Sequence, residues 1–194
     1  MKHKLIFKLD LNTLLRFIFI AFFQLLFFYV TLINNFDNYL LAGLFFLFSI
    51  LLFLGYLIAL KNISSKYSKL QLIDSLIVLT CILGGILTYF INHFVSLGAV
   101  ISSAIVGLTG GLLAKLLNTK EANSLALAFY CGSYVGMSSI NVLENIFIVA
   151  LAAFFTGLIF ILTKGIFKGY GGKLGTMAFI GVVILIIFMK VLGG

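Results

Sequence analysis

Few side chains in this sequence can do chemistry, and most of them fall into two groups. Tyr130, Ser133 and Tyr134, followed by Met137, recur at helical spacing inside an otherwise apolar stretch. A hydroxyl turned inward there needs a partner, because a lipid environment supplies no water. The spacing predicts that these residues line a polar cavity halfway along a helix; bonding to a neighbouring helix is the alternative. The second group is Asn92 and His93 at the end of one apolar run, with Ser138, Ser139, Asn141, Glu144 and Asn145 between two later runs. His93 and Glu144 together could exchange protons or hold a cation. A plainer reading makes Asn141 a helix N-cap, with Glu144 three residues on completing a capping box. Asp74 stands near the start of a third run, where Lys66, Lys69 or Lys115 could pair with it.

Other chemistries lack their residues. His3 and His93 are the only histidines and the five acids are dispersed, so no metal site forms and no cofactor is expected. Gly136-Met137-Ser138 lacks the closing glycine of a nucleophile elbow, which argues against a serine enzyme. The glycine-rich stretch from Lys164 to Thr176 fails the phosphate-loop pattern because Leu174 follows Lys173 where Ser or Thr is needed. Its Lys164, Lys168 and Lys173 could still meet anionic lipid headgroups. Cys81 and Cys131 lie in apolar runs without metal-ligand spacing and read as small core residues.

The elements that must position these side chains are transmembrane helices. The chain is 63% hydrophobic and 9% charged over 194 residues, too little polar surface for a water-soluble globule of this size. Each crossing takes roughly 20 apolar residues. About seven such spans fit, at roughly 12–33, 39–60, 72–91, 95–117, 123–140, 144–163 and 174–192, leaving no room for a soluble domain. The expected architecture is one all-α, polytopic domain over residues 1–194, with an uncleaved first helix.

Basic residues orient it. Lys2, Lys4, Lys8 and Arg16 precede the first span. Lys61, Lys66 and Lys69, then Lys115 and Lys120, then Lys164, Lys168 and Lys173 occupy alternate loops, while the intervening loops carry no Lys or Arg. Lys and Arg stay on the cytoplasmic side, which puts the N-terminus inside and the C-terminus outside. The net charge of +8 is therefore a topology signal and does not form a nucleic-acid face. The fifth span is the weakest, being short and rich in Ala, Gly and Ser, and a re-entrant loop is its alternative.

The first two spans carry Phe and Leu on every face and read as a lipid-facing flank. The fourth repeats Ala99, Ser103, Gly107 and Gly111, and the fifth repeats Ser124, Ala128, Gly132 and Gly136, every fourth residue. Such stripes let membrane helices approach closely, so the fourth and fifth spans are expected at the centre. The function expected is a small transporter or channel with its pathway between the third and seventh spans. A scaffold or regulatory subunit, and then an intramembrane enzyme, are the other readings. A homo-oligomer or a membrane partner is expected alongside the bilayer. Arg16 is the one arginine among 13 basic residues, and with the abundant Ile, Phe and Asn it suggests an AT-rich bacterial genome and the cytoplasmic membrane.

Overall fold

A computed structural model describes residues 11–34, 43–44, 46–48, 50–51, 54–55, 72–164 and 172–192. Among these the chain is all-helical, with no strand and seven helices. They are α1 (Leu11–Asn34), α2 (helical at the described positions of 43–55), α3 (Leu72–Phe94), α4 (Ala99–Leu117), α5 (Lys120–Gly136), α6 (Ile146–Leu162) and α7 (Lys173–Leu192). Four of the helices, at Leu14–Ile33, Ile73–Phe94, Ala99–Leu117 and Lys173–Val191, are long and apolar enough to cross a membrane. At 17 residues, α6 is apolar throughout but reaches only about 25 Å. By internal contacts α1 and α2 belong to one compact unit and α3–α7 to another.

Within the first unit, α1 is a run of aromatics that contact one another along the helix, with Phe19 and Phe23 ring centroids 5.0 Å apart. Its Phe22 and Tyr29 are exposed, a surface that suits lipid better than water.

The second unit is built on close backbone approach. A methyl added to Gly132 of α5 would land in the Cys81 carbonyl of α3, one on Gly84 would meet the Phe129 carbonyl, and one on Gly136 would meet Gly85 and Thr88. Side chains are absent at these positions so that two helices can touch by their backbones, the packing that replaces the hydrophobic effect where the surroundings are apolar. The same device recurs where Gly157 of α6 faces Val78 and where Gly181 of α7 faces Thr156. Around these crossings Tyr89, Val135, Leu143, Val149, Ala152, Ala153, Ala178 and Leu185 form a buried cluster.

These contacts set direction. Cys81 and Gly85 meet Gly132 and Gly136 in ascending order, so α3 and α5 run the same way. Ser103 and Gly107 meet Ser133 and Tyr130, Val78 and Gly85 meet Gly157 and Ala153, and Thr163 and Thr156 meet Met177 and Gly181, all in opposite order. The helices α3 to α7 therefore alternate.

Three expectations change. The centre is α5, which α3, α4, α6 and α7 all pack against, whereas α4 packs mainly on α5 and α3 among the described residues. Buried positions of α4 are Ser102, Ser103, Val106, Gly110 and Ala114; of the anticipated stripe, Gly107 still packs closely under the Tyr130 ring whereas Gly111 does not. A 3.6-residue turn drifts off a strict four-residue stripe within three turns, which leaves Gly111 exposed. Second, α6 does not start from Asn141. Asn145 is the cap, its side-chain oxygen accepting from Phe147 N at 3.0 Å and Ile148 N at 2.9 Å. The residues before it form a turn in which Val142 and Leu143 N–H groups donate to the Ser139 carbonyl, and Leu143 is fully buried. Similarly, α5 starts earlier than expected because the Thr119 side chain caps it, accepting from Ala122 N at 3.1 Å.

Candidate functional site

Ser133 and Tyr130 of α5 both meet α4, but at different depths. Ser133 is wholly buried in the α4–α5 seam. Its Oγ donates to the Tyr130 carbonyl at 2.7 Å. With its single proton so used, it accepts from Ser103 Oγ at 2.9 Å. Tyr134 donates to the Tyr130 hydroxyl at 2.9 Å, their rings 4.8 Å apart. These two stay partly exposed. Residues three and four apart lie on either side of a helix position, so a seam can swallow Ser133 while leaving the tyrosine pair at its edge. Tyr130 also covers Gly107, where a methyl would enter its ring.

The group at the far end of α3 is looser. Tyr89 packs on His93 with ring centroids 4.4 Å apart and ring planes tilted by 52°, and its hydroxyl reaches the Glu144 backbone carbonyl at 3.4 Å. Asn92 Nδ2 lies 3.5 Å from His93 Nε2, a long contact. Glu144 and Asn141 are exposed, and Glu144 forms no ion pair with His93 among the described residues. Asn145 is committed to its cap. The turn is brought beside His93 by Tyr89, without the carboxylate–imidazole contact that proton exchange would require.

The opposite end is more tightly built. Asp74, 4% exposed at the start of α3, accepts from the half-buried Lys164 Nζ just past the end of α6 in an ion pair. Lys66 and Lys69, two of the partners expected for Asp74, lie outside the described residues, as does Lys168. Beside the pair, Lys173 Nζ donates to the Thr163 carbonyl at 3.1 Å. The Thr163 hydroxyl donates to Ile159 O at 2.7 Å and approaches Met177 Sδ at 3.5 Å. Lys164 and Lys173, read from the sequence as lipid contacts, are thus both engaged inside the unit. Further along, Cys131 Sγ donates to the Leu174 carbonyl at 3.3 Å, and Cys81 and Cys131 are both buried thiols. Thr88 Oγ1, fully buried in α3, has no hydrogen-bond partner among the described residues.

Against family models, characterised proteins and solved structures alike, the chain finds no match.

Sequence reasoning missed Lys164 as the partner of Asp74. The residues are 90 apart, but the signal was present: the charge alternation already put Asp74 and the loop containing Lys164 on the same side. It also missed a cavity of about 480 Å³ along α4, lined by Ala104, Gly107, Leu108, Gly111, Leu112, Lys115 and Tyr130. Gly111, taken as a packing position, opens into it with nothing within 4 Å of where a side chain would start.

Proposed function

We propose that the chain is a seven-span protein of the cytoplasmic membrane, N-terminus inside and C-terminus outside, acting as a small transporter or channel for an ion or small solute along α3–α7. The observation that carries this reading is the Asp74–Lys164 pair, which joins the first turn of α3 to the turn after α6 with the carboxylate 4% exposed. Taking the Asp74 carboxylate out of water costs several kcal/mol, which attraction to a half-buried ammonium only partly offsets, so stability is a weak reason to keep such a pair. Ionisable groups within spanning segments belong by default to an ion or substrate route. In this reading Asp74 and Lys164 close the cytoplasmic end and separate as it opens. Tyr130 and Tyr134 supply hydroxyls at mid-depth, and His93, Asn92, Asn141 and Glu144 form the outer mouth. The alternating directions of α3 to α7 support a full crossing by α5, and the alternating basic loops support the orientation. A unit this small works as a homo-oligomer or with a membrane partner.

The test is flux in liposomes containing the purified chain, with K⁺, Na⁺ and H⁺ gradients read by fluorescent indicators. Asp74→Asn is expected to lower a wild-type flux at least tenfold, and Asp74→Asn/Lys164→Gln, which removes both charges, keeps the fold. A flux unchanged by Asp74→Asn refutes the assigned role. No wild-type flux for any ion, together with a stoichiometric co-purifying partner, would favour the scaffold reading, which the internally satisfied Ser103–Ser133 bond and the glycine crossings also fit.

A further inference from the structure

The cavity along α4 has a shape and a charge that together specify an occupant. Its α4 residues, Ala104, Gly107, Leu108, Gly111, Leu112 and Lys115, recur at steps of three and four, so they form one line along the helix to its last turn. The Tyr130 ring walls one side, Leu108 and Leu112 stand exposed along the rim, and the missing side chain of Gly111 makes the floor. From Ala104 to Lys115 the line is about 16 Å long, half of a ~30 Å hydrocarbon core and hence the depth of one leaflet. It is apolar until Lys115, which is exposed and has no ion pair among the described residues.

We propose that this groove binds one acyl chain of an anionic glycerophospholipid, with the headgroup phosphate held by Lys115. An apolar trough of single-leaflet length ending in a cation is complementary to a hydrocarbon tail ending in an anion, and a lysine ammonium binds phosphate as a point charge. A second copy of the chain is the rival occupant. Two copies in one bilayer, paired symmetrically through this line, would bring Lys115 level with Lys115 and leave two like charges together. A phospholipid supplies the missing countercharge.

The chain contains no tryptophan, so Leu108→Trp places a single fluorophore on the groove rim. In phosphatidylcholine vesicles holding the full chain, brominated-acyl phosphatidylglycerol is expected to quench it at about one-fifth the mole fraction needed for brominated-acyl phosphatidylcholine, the preference that one lysine near an anionic headgroup provides. Adding Lys115→Gln should abolish the preference, and adding Gly111→Leu should reduce quenching by either lipid with helicity unchanged. A control Leu87→Trp on α3 should show no preference. Equal quenching by both lipids at position 108, or a preference that survives Lys115→Gln, overturns the proposal. So does the same preference for brominated oleate, which would assign the groove to any anionic amphiphile, or efficient disulfide cross-linking of Gly111→Cys chains, which would assign it to a second copy.

Discussion

Ser133 shows how much depends on which side of a helix one residue falls. On α5 it lies between two half-buried tyrosines, yet its own hydroxyl is wholly buried and links Ser103 to the Tyr130 carbonyl. Replacing it with alanine leaves the Ser103 hydroxyl, 3% exposed, without its acceptor. Interhelical hydrogen bonds of this kind are worth about 0.6 kcal/mol on average and up to ~1.7 kcal/mol. Ser133→Ala and Ser103→Ala should each lower thermal stability in detergent by that order. The double variant should cost less than their sum, since losing either partner already breaks the Ser103–Ser133 bond. Strict additivity would mean the relay does not form. Asn145 offers a second residue-level test. Asn145→Ala removes the α6 cap and should cost about 1 kcal/mol, whereas Asn141→Ala, outside the helix, should be near neutral in the same melting assay. The reverse ranking would restore the capping box at Asn141–Glu144.

At the scale of elements, the glycines divide into those that let helices touch and those that face outward. Gly132, Gly84 and Gly136 sit where α3 and α5 meet by their backbones, and the atoms opposing an added methyl at Gly132 and Gly84 are backbone atoms that cannot move aside. Gly132→Ala should therefore force the helices apart and cost about 1–3 kcal/mol, if the protein assembles at all. Gly111→Ala meets nothing within 4 Å. It should gain up to about 1 kcal/mol from helix propensity. Size-exclusion profiles and melting curves of the two variants should move in opposite directions, and a parallel loss would mean α4 packs through Gly111 after all. The two substitutions are chemically identical, so their difference isolates packing from propensity.

For the whole molecule, the decisive prediction concerns sidedness. In the proposed orientation, drawn from the basic loops, the start of α5 lies in the cytoplasm and the turn before α6 outside. Both Cys81 and Cys131 are buried, so a single cysteine added to an exposed position dominates labelling by an impermeant maleimide. Asn141→Cys should label in intact cells, and Glu121→Cys only after the membrane is opened. Labelling of both from one side would make α5 re-entrant and place the Lys164–Lys173 loop outside.

Composition and the spacing of charges were enough to reach an all-helical chain with several membrane-length helices. These are one-dimensional properties: an apolar run of sufficient length becomes a helix in lipid because its backbone has no other way to satisfy its hydrogen bonds. The end positions of α1, α3 and α7 came within a few residues for the same reason. The partner of Asp74, the separation of Ser133 from Tyr130 and Tyr134, the move of the buried line from Gly111 to Gly110, and the groove ending at Lys115 were settled only by tertiary structure. Each depends on the rotation and tilt of one helix against another. Within so uniform an apolar alphabet, many faces of α4 and α5 look equally able to pack, and the atoms of the neighbouring helix choose among them.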